Sequence, residues 1–344
     1  MKYIIVVLSF LIACQSSAST WNRANDPAQF GQGYEYRFAA LPLKGRVSED
    51  KMPWSETYWA AVKGSINYRW NSPSKAGFGY TPPSREAVMR MSRDELAQLS
   101  PSEKYDLAMG HYNYPLKHEA DYYADTHAKY WNGICHGWAP AALQFKEPKP
   151  VDFVNPDGIS IPFGSSDVKG LLSFFMAFHA DVGIAQVGVR CRKFERALGL
   201  PMCKDTNAGA LHVIMANELG LRGTGFVAEV DPGSEIWNQP VHGFEVKSYA
   251  SIQARGNAAS AVKVEAEMNY TDELEESQWA PANGTSAFRA DKMKLSYILE
   301  LDTQGRIIGG EWLSNEIPDF VWKTLSPAQF TGEFEGLKQI YQAN

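Results

Sequence analysis

An α+β fold is what this sequence predicts, on the strength of its helix caps and its later alternating strands. Ser92-Arg93-Asp94-Glu95 and Ser100-Pro101-Ser102-Glu103 have capping-box form, a serine followed three residues later by an acid, so helices come early. From about residue 210 onward, beyond the 191–203 loop, the apolar pattern changes to that of strands. Helices first and strands afterwards describe segregated layers rather than alternating βαβ units.

The 344 residues give a prior of about two domains of ~150 residues, enough to bury a core without a structural metal. A formal charge of -6 with no Lys/Arg-rich block argues against nucleic acid as a partner. Lys2 and the apolar run Tyr3 to Ala13 read as a signal peptide over residues 1–18, too short to span a bilayer. Ser16-Ser17-Ala18 suits a signal peptidase, whereas Leu11-Ile12-Ala13-Cys14 resembles a lipobox that would place a lipid on Cys14. The reading is an exported protein, periplasmic, secreted or at the cell surface; it is soluble, with a lipid anchor as the alternative, and not integral to the membrane.

Residues 19–90 are rich in aromatics, Gly and Pro and predict an irregular layer over a catalytic domain spanning 91–344. The polar stretch His111 to Lys129 lacks a His-Glu-x-x-His spacing and reads as a solvated, partly helical approach rather than a zinc site. A helix over Ala139 to Phe145 must stop before Pro148 and Pro150, and Ser165-Ser166-Asp167 caps the next. Ala210 to Ala216, apolar except for His212, reads as a strand buried on both faces. Strands follow at 225–231, 241–249 and 261–270, then a hairpin of 295–301 and 306–313. The acidic run Asp272 to Glu276 is a loop in which calcium has a place, without the EF-hand pattern.

The stretch Asn132-Gly133-Ile134-Cys135-His136-Gly137-Trp138 puts a cysteine between a turn signal and a helix start. Free backbone N–H groups and the helix dipole there favour a thiolate. Export adds weight to this cysteine. Cys191 and Cys203 can close a short disulfide loop worth roughly 2–4 kcal/mol, which leaves Cys135 unpaired in an oxidising compartment. A cysteine nucleophile needs a base, and His212 is the candidate; His136, next to the thiol, is displaced about 100° around the helix. Asp231, or else Asn238, would orient the imidazole, and the Cys135 backbone N–H with Lys129 would face the oxyanion.

Asn132 to Ala142, Ala210-Leu211-His212-Val213 and above all Trp237-Asn238-Gln239-Pro240-Val241-His242-Gly243-Phe244-Glu245-Val246 resemble the transglutaminase elicitor family of oomycetes and bacteria. The last segment is similar to that family's surface elicitor peptide, with His242 and Glu245 where the peptide has Arg and Lys. Gly309-Gly310-Glu311-Trp312 and Pro318-Asp319-Phe320 extend the likeness. The resemblance implies a papain-like cysteine-triad core, a helical half carrying the nucleophile and an antiparallel sheet carrying the histidine and its partner. It implies a protein-glutamine γ-glutamyltransferase: Cys135 attacks a glutamine carboxamide of one protein substrate and a lysine amine resolves the thioester. No cofactor is needed for that covalent chemistry. The alternatives are a papain-like protease or deamidase, in which water enters instead, and a non-catalytic surface recognition protein.

Overall fold

The computed structural model describes residues 21–69, 77–191, 205–231, 233–254 and 256–343. The leader, Cys14 and Cys203 lie outside them, and with Cys203 the predicted pairing to Cys191. The order of elements is β1 (Lys44–Arg46), α1 (Arg85–Val88), α2 (Arg93–Ala97), α3 (Pro101–Ala108), α4 (Pro115–Tyr122), α5 (Cys135–Gln144), β2 (Val151–Val154), β3 (Ser160–Phe163), α6 (Ser165–Phe178) and β4 (Ile184–Val187). Then come α7 (Ala208–Met215), β5 (Phe226–Glu229), β6 (Asn238–Ile252), β7 (Ser260–Thr271), β8 (Ala290–Leu301), β9 (Ile307–Trp312), β10 (Val321–Thr324) and α8 (Glu335–Gln342).

Helices and an antiparallel sheet segregate as predicted. The sheet runs β4-β10-β5-β6-β7-β8-β9, with β1 also on β6. Every described strand pair is antiparallel. The fifteen-residue β6 is its spine, pairing with β5 over 238–241, with β1 over 243–245 and with β7 over 241–252. Both capping boxes form, at Ser92 with Glu95 and at Ser100 with Glu103, which supply partners for first-turn N–H groups. The predicted hairpin is β8 and β9.

Among the described residues two large apolar cores form, with a small third cluster at Ala139, Val227 and Trp322. One lies among the helices and collects Trp54, Trp59, Trp138, Phe174, Phe175 and Phe334; Cys135 belongs to it. The other lies between the sheet and α7, with Phe226, Phe244, Met268 and Tyr297. The early aromatic segment contributes to both, Trp54 and Trp59 to the first, Phe30 and Leu41 to the second. Under α6, Lys169 pairs with Glu147 at 2.6 Å and Lys104 with Asp167 at 2.6 Å, with no exposed surface on either lysine. Removing one partner would strand a buried charge, so these pairs pin α6 in one register.

One predicted element is wrong. Residues 208–215 are helical, not a strand, and a π-helical turn continues the helix from Ala216 to Arg222. An apolar run of this length has no period that separates a buried strand from a buried helix. The deciding signals are at its ends: the Asn207 side chain accepts the N–H groups of Gly209 and Ala210, and Gly223 closes the turn with φ +61°. Gly209 also lets α7 lie directly on β9, since a Cβ there would come within 2.2 Å of the Gly309 oxygen. Asn207 Nδ2 donates to the Gly310 oxygen and Trp312 Nε1 to the Thr206 oxygen. The motif blocks at 210–213 and 309–312 are therefore the two sides of one packing junction.

Candidate active site

Cys135 is the first residue of α5, and its position follows from the turn before it. Ile134 N donates to Tyr58 O at 2.8 Å and Ala61 N to Asn132 O at 2.8 Å, which ties the 132–134 turn to the 58–61 strip. Gly133 is required there because a Cβ would come within 2.4 Å of Tyr58 O. Ile134 offers no capping side chain, so first-turn N–H groups stay available near the sulfur. The thiol faces a cleft of about 310 Å³ lined by Trp59, Ser65, Tyr123, Trp131, His136 and Asn238 among others. A larger cleft, about 640 Å³, lies against the far part of α5 at Pro140, Leu143 and Gln144 and contains no cysteine or histidine. The smaller one holds the thiol and an imidazole, that of His136.

Asn238 is the residue brought to the thiol. It opens β6, and its Nδ2 donates to Cys135 Sγ at 3.6 Å while Trp322 Nε1 donates to its Oδ1 at 2.8 Å. That second bond fixes which amide atom faces the sulfur. Cys135 Sγ in turn donates to Ile236 O at 3.7 Å. Burial pushes the thiol above its ordinary value, the N–H groups of Asn238 and the His136 backbone pull it down, and the nearby Glu273 carboxyl adds to the upward push. The resting group is thus a thiol, where the helix N-terminus alone predicts a thiolate. Desolvation of the charge outweighs the dipole in this setting.

His212 is not beside Cys135. It is fully buried on α7, with Nδ1 2.8 Å from the Tyr297 hydroxyl and its ring against Phe38, in the second core. Burial holds its imidazole down to about 4, so it is neutral at physiological pH. Helix α5 packs on β5 and β6, whereas α7 packs on β8 and β9. Among the described residues no imidazole hydrogen-bonds to the sulfur, and a cysteine–histidine–acid triad is not assembled. The imidazole that does line the thiol's cleft is the neighbouring His136, exposed and edge-on to Phe178 at 5.9 Å. Adjacent helix residues point about 100° apart, yet both Cys135 and His136 line the cleft because the first turn of α5 is open on that side.

Asp231 does not orient an imidazole either. Its Oδ2 accepts the N–H groups of Gly233 and Glu235, closing the turn that leads to Ile236 and Asn238. Lys129 is not among the residues lining the cleft; its Nζ sits over the Trp131 ring at 5.6 Å. A buried acid that the sequence did not single out, Glu229, pairs with Asn238 across β5 and β6. Its Oε1 accepts from Asp231 N and Trp237 N, and burial raises its carboxyl to about 8, with Asp319 adding to the rise. An acid ending an apolar strand was the available signal. Trp237, half-buried, stacks edge-on against Tyr58 at 4.9 Å. The segment resembling a surface elicitor peptide is here largely buried from Asn238 to Phe244, as the spine of the sheet.

Among the described residues no group of three or more His, Cys, Asp or Glu side chains is arranged to hold a metal ion, and no helix is long and apolar enough to cross a membrane.

Residues 119–338 match the transglutaminase elicitor family. The chain belongs to that family. A solved structure, the GP42 transglutaminase from Phytophthora sojae, superposes with a TM-score of 0.69 at 25% identity, over 94% of this chain and 98% of that one. No curated protein sequence matches. The chain is accordingly a transglutaminase-like protein with a mixed helix and antiparallel-sheet fold.

Proposed function

We propose that this protein is an exported protein-glutamine γ-glutamyltransferase with Cys135 as its nucleophile. The observation that carries the reading is the Asn238 amide on Cys135 Sγ at the start of α5, inside a cleft, in a member of the transglutaminase elicitor family. In this proposal the sulfur attacks the carboxamide carbon of a protein glutamine and its proton passes to His136. The oxyanion draws on the Asn238 amide and on first-turn backbone N–H groups. Collapse breaks the C–N bond, and His136 returns the proton to the leaving ammonia. A lysine amine then attacks the thioester carbon, loses a proton to His136 and expels the sulfur, which is reprotonated. Aromatic walls at Tyr123, Trp131 and Phe178 favour amine over water by limiting hydration of the acyl-enzyme. No step is routed through calcium; assay with and without EGTA reads whether the ion is needed.

The test is incorporation of a labelled primary amine into a glutamine-containing protein by the purified chain, with release of ammonia. Ammonia release without amine incorporation would make it a deamidase, and peptide release a protease. Intact mass of the exported product reads the leader and any lipid on Cys14, and non-reducing peptide mapping reads the Cys191–Cys203 pair.

A further inference from the structure

Three non-glycine residues among the described ones have a left-handed backbone: Trp59 at φ +50°, Ser65 at φ +52° and Tyr114 at φ +53°. Two of these, Trp59 and Ser65, line the Cys135 cleft. The same two residues each bury a polar side-chain atom, Trp59 Nε1 and Ser65 Oγ, with no hydrogen-bond partner among the described residues. Both side chains are nearly closed from solvent, at 2% exposure each. A left-handed backbone at a bulky residue is unfavourable, and so is an unpartnered buried donor. That both penalties fall together, twice, at one cleft is a pattern expected of a site whose partners arrive with a ligand.

The surroundings say what kind of ligand. An indole N–H only donates, whereas a hydroxyl can also accept. The pair is uncharged, and no charged side chain lines the cleft unless His136 is protonated. A neutral group with one acceptor and one donor fits that pair, and a carboxamide has both, on one planar carbon. The 59–61 end of the 59–65 turn is tied to the rest of the fold: Ala61 N donates to Asn132 O, Asp125 N donates to Ala61 O, and the Trp59 ring is wedged against Gly170 of α6, whereas Ser65 N donates within the turn, to Ala60 O.

We propose that Trp59 and Ser65 form a carboxamide subsite of the Cys135 cleft, with the indole N–H donating to the carboxamide oxygen and the Ser65 hydroxyl accepting from its nitrogen. The inference rests on the glutamine-transfer reading, which it deepens by assigning the residues that select the reacting group. Both atoms are closed to solvent, so binding of the carboxamide requires a local opening beside them. A site built to hydrogen-bond a polar group discriminates strongly against analogues without it, because its own polar atoms are then left unpaired.

The experiment compares alkylation of Cys135 by iodoacetamide, which carries a carboxamide, with its modification by methyl methanethiosulfonate, which carries none. Wild type is set against Ser65→Ala, Trp59→Phe and the double variant, with the thermal midpoint of each. The expected result is a fall of about tenfold in the iodoacetamide-to-thiosulfonate rate ratio in the double variant, smaller falls in the single ones, and midpoints unchanged or raised. An unchanged ratio overturns the proposal, and if the midpoint then drops by several degrees the two groups are structural. Should Trp59→Phe not fold, Ser65→Ala alone decides. The ratio needs no turnover, so it stays readable if wild type incorporates no amine, and the two failures are distinguishable.

Discussion

Cys135 and His212 make an instructive pair, because the sequence around each advertises a reactive group and the fold treats them oppositely. Cys135 opens its helix and His212 lies in the last turn of its own, each among small and apolar residues. Cys135 opens onto a cleft and is held by Asn238, a residue from the start of the sheet's central strand. His212 is sealed between α7 and β8, where Tyr297 occupies one ring nitrogen and nothing occupies the other. A side chain's chemistry thus depends on which face of its helix the sheet covers, and that is decided by close-packing glycines such as Gly209 more than by the residue itself.

The sharpest way to break this contrast is to truncate both side chains. Cys135→Ala is expected to lower amine incorporation by roughly 10³-fold or more while leaving the thermal midpoint nearly unchanged. His212→Ala is expected to do the reverse. It should cost about 2–4 kcal/mol in denaturant unfolding, from the cavity and the unpartnered Tyr297 hydroxyl, and spare the activity of the molecules that remain folded. If His212→Ala instead abolished turnover with the midpoint intact, the imidazole would reach the thiol in a conformation other than this one.

Asn238→Ala sits next in size. It removes the N–H on the sulfur and strands Trp322 Nε1, so turnover should fall roughly 10²-fold and iodoacetamide labelling at fixed pH should slow as the thiol rises further. Equal labelling in variant and wild type would remove Asn238 from the site.

The smallest effects separate the two regions by pH. His212 is held neutral in the native state down to about 4, while the unfolded chain binds that proton below the ordinary 6.5. Stability from this group is therefore lost as pH falls from about 6.5 toward 4, and His212→Phe should flatten that limb. Glu229 has the opposite sign. Its native carboxyl keeps a proton up to about 8 while the unfolded one releases it near 4.5, so its contribution is lost as pH rises through that window. Glu229→Gln preserves an acceptor for the Asp231 and Trp237 N–H groups and should flatten the alkaline limb, read by urea midpoints across pH.

Much of this architecture was written locally. Both capping boxes, the β8–β9 hairpin and the alternation of β7 depend on neighbours a few residues apart, which is the range over which sequence patterns act. The turn that presents Cys135 was legible for the same reason: Asn132-Gly133 and the small residues after the cysteine are local signals, and Gly133 is where the strip at Tyr58 crosses closest. Asn238 could be named because an amide near a strand end can orient an imidazole, although in the fold it holds a sulfur instead.

What only the tertiary structure decided is which of these groups meet. Cys135 and Asn238 are 103 positions apart and come together because α5 lies across the start of β6. His212 and Cys135 lie on helices that pack against different strands of the sheet, and an apolar octet carries no period to say that 208–215 is one of those helices. The ionisation of the thiol was likewise undetermined by the chain. The helix N-terminus is a local feature that lowers it, whereas burial, which raises it, is a property of everything packed around it.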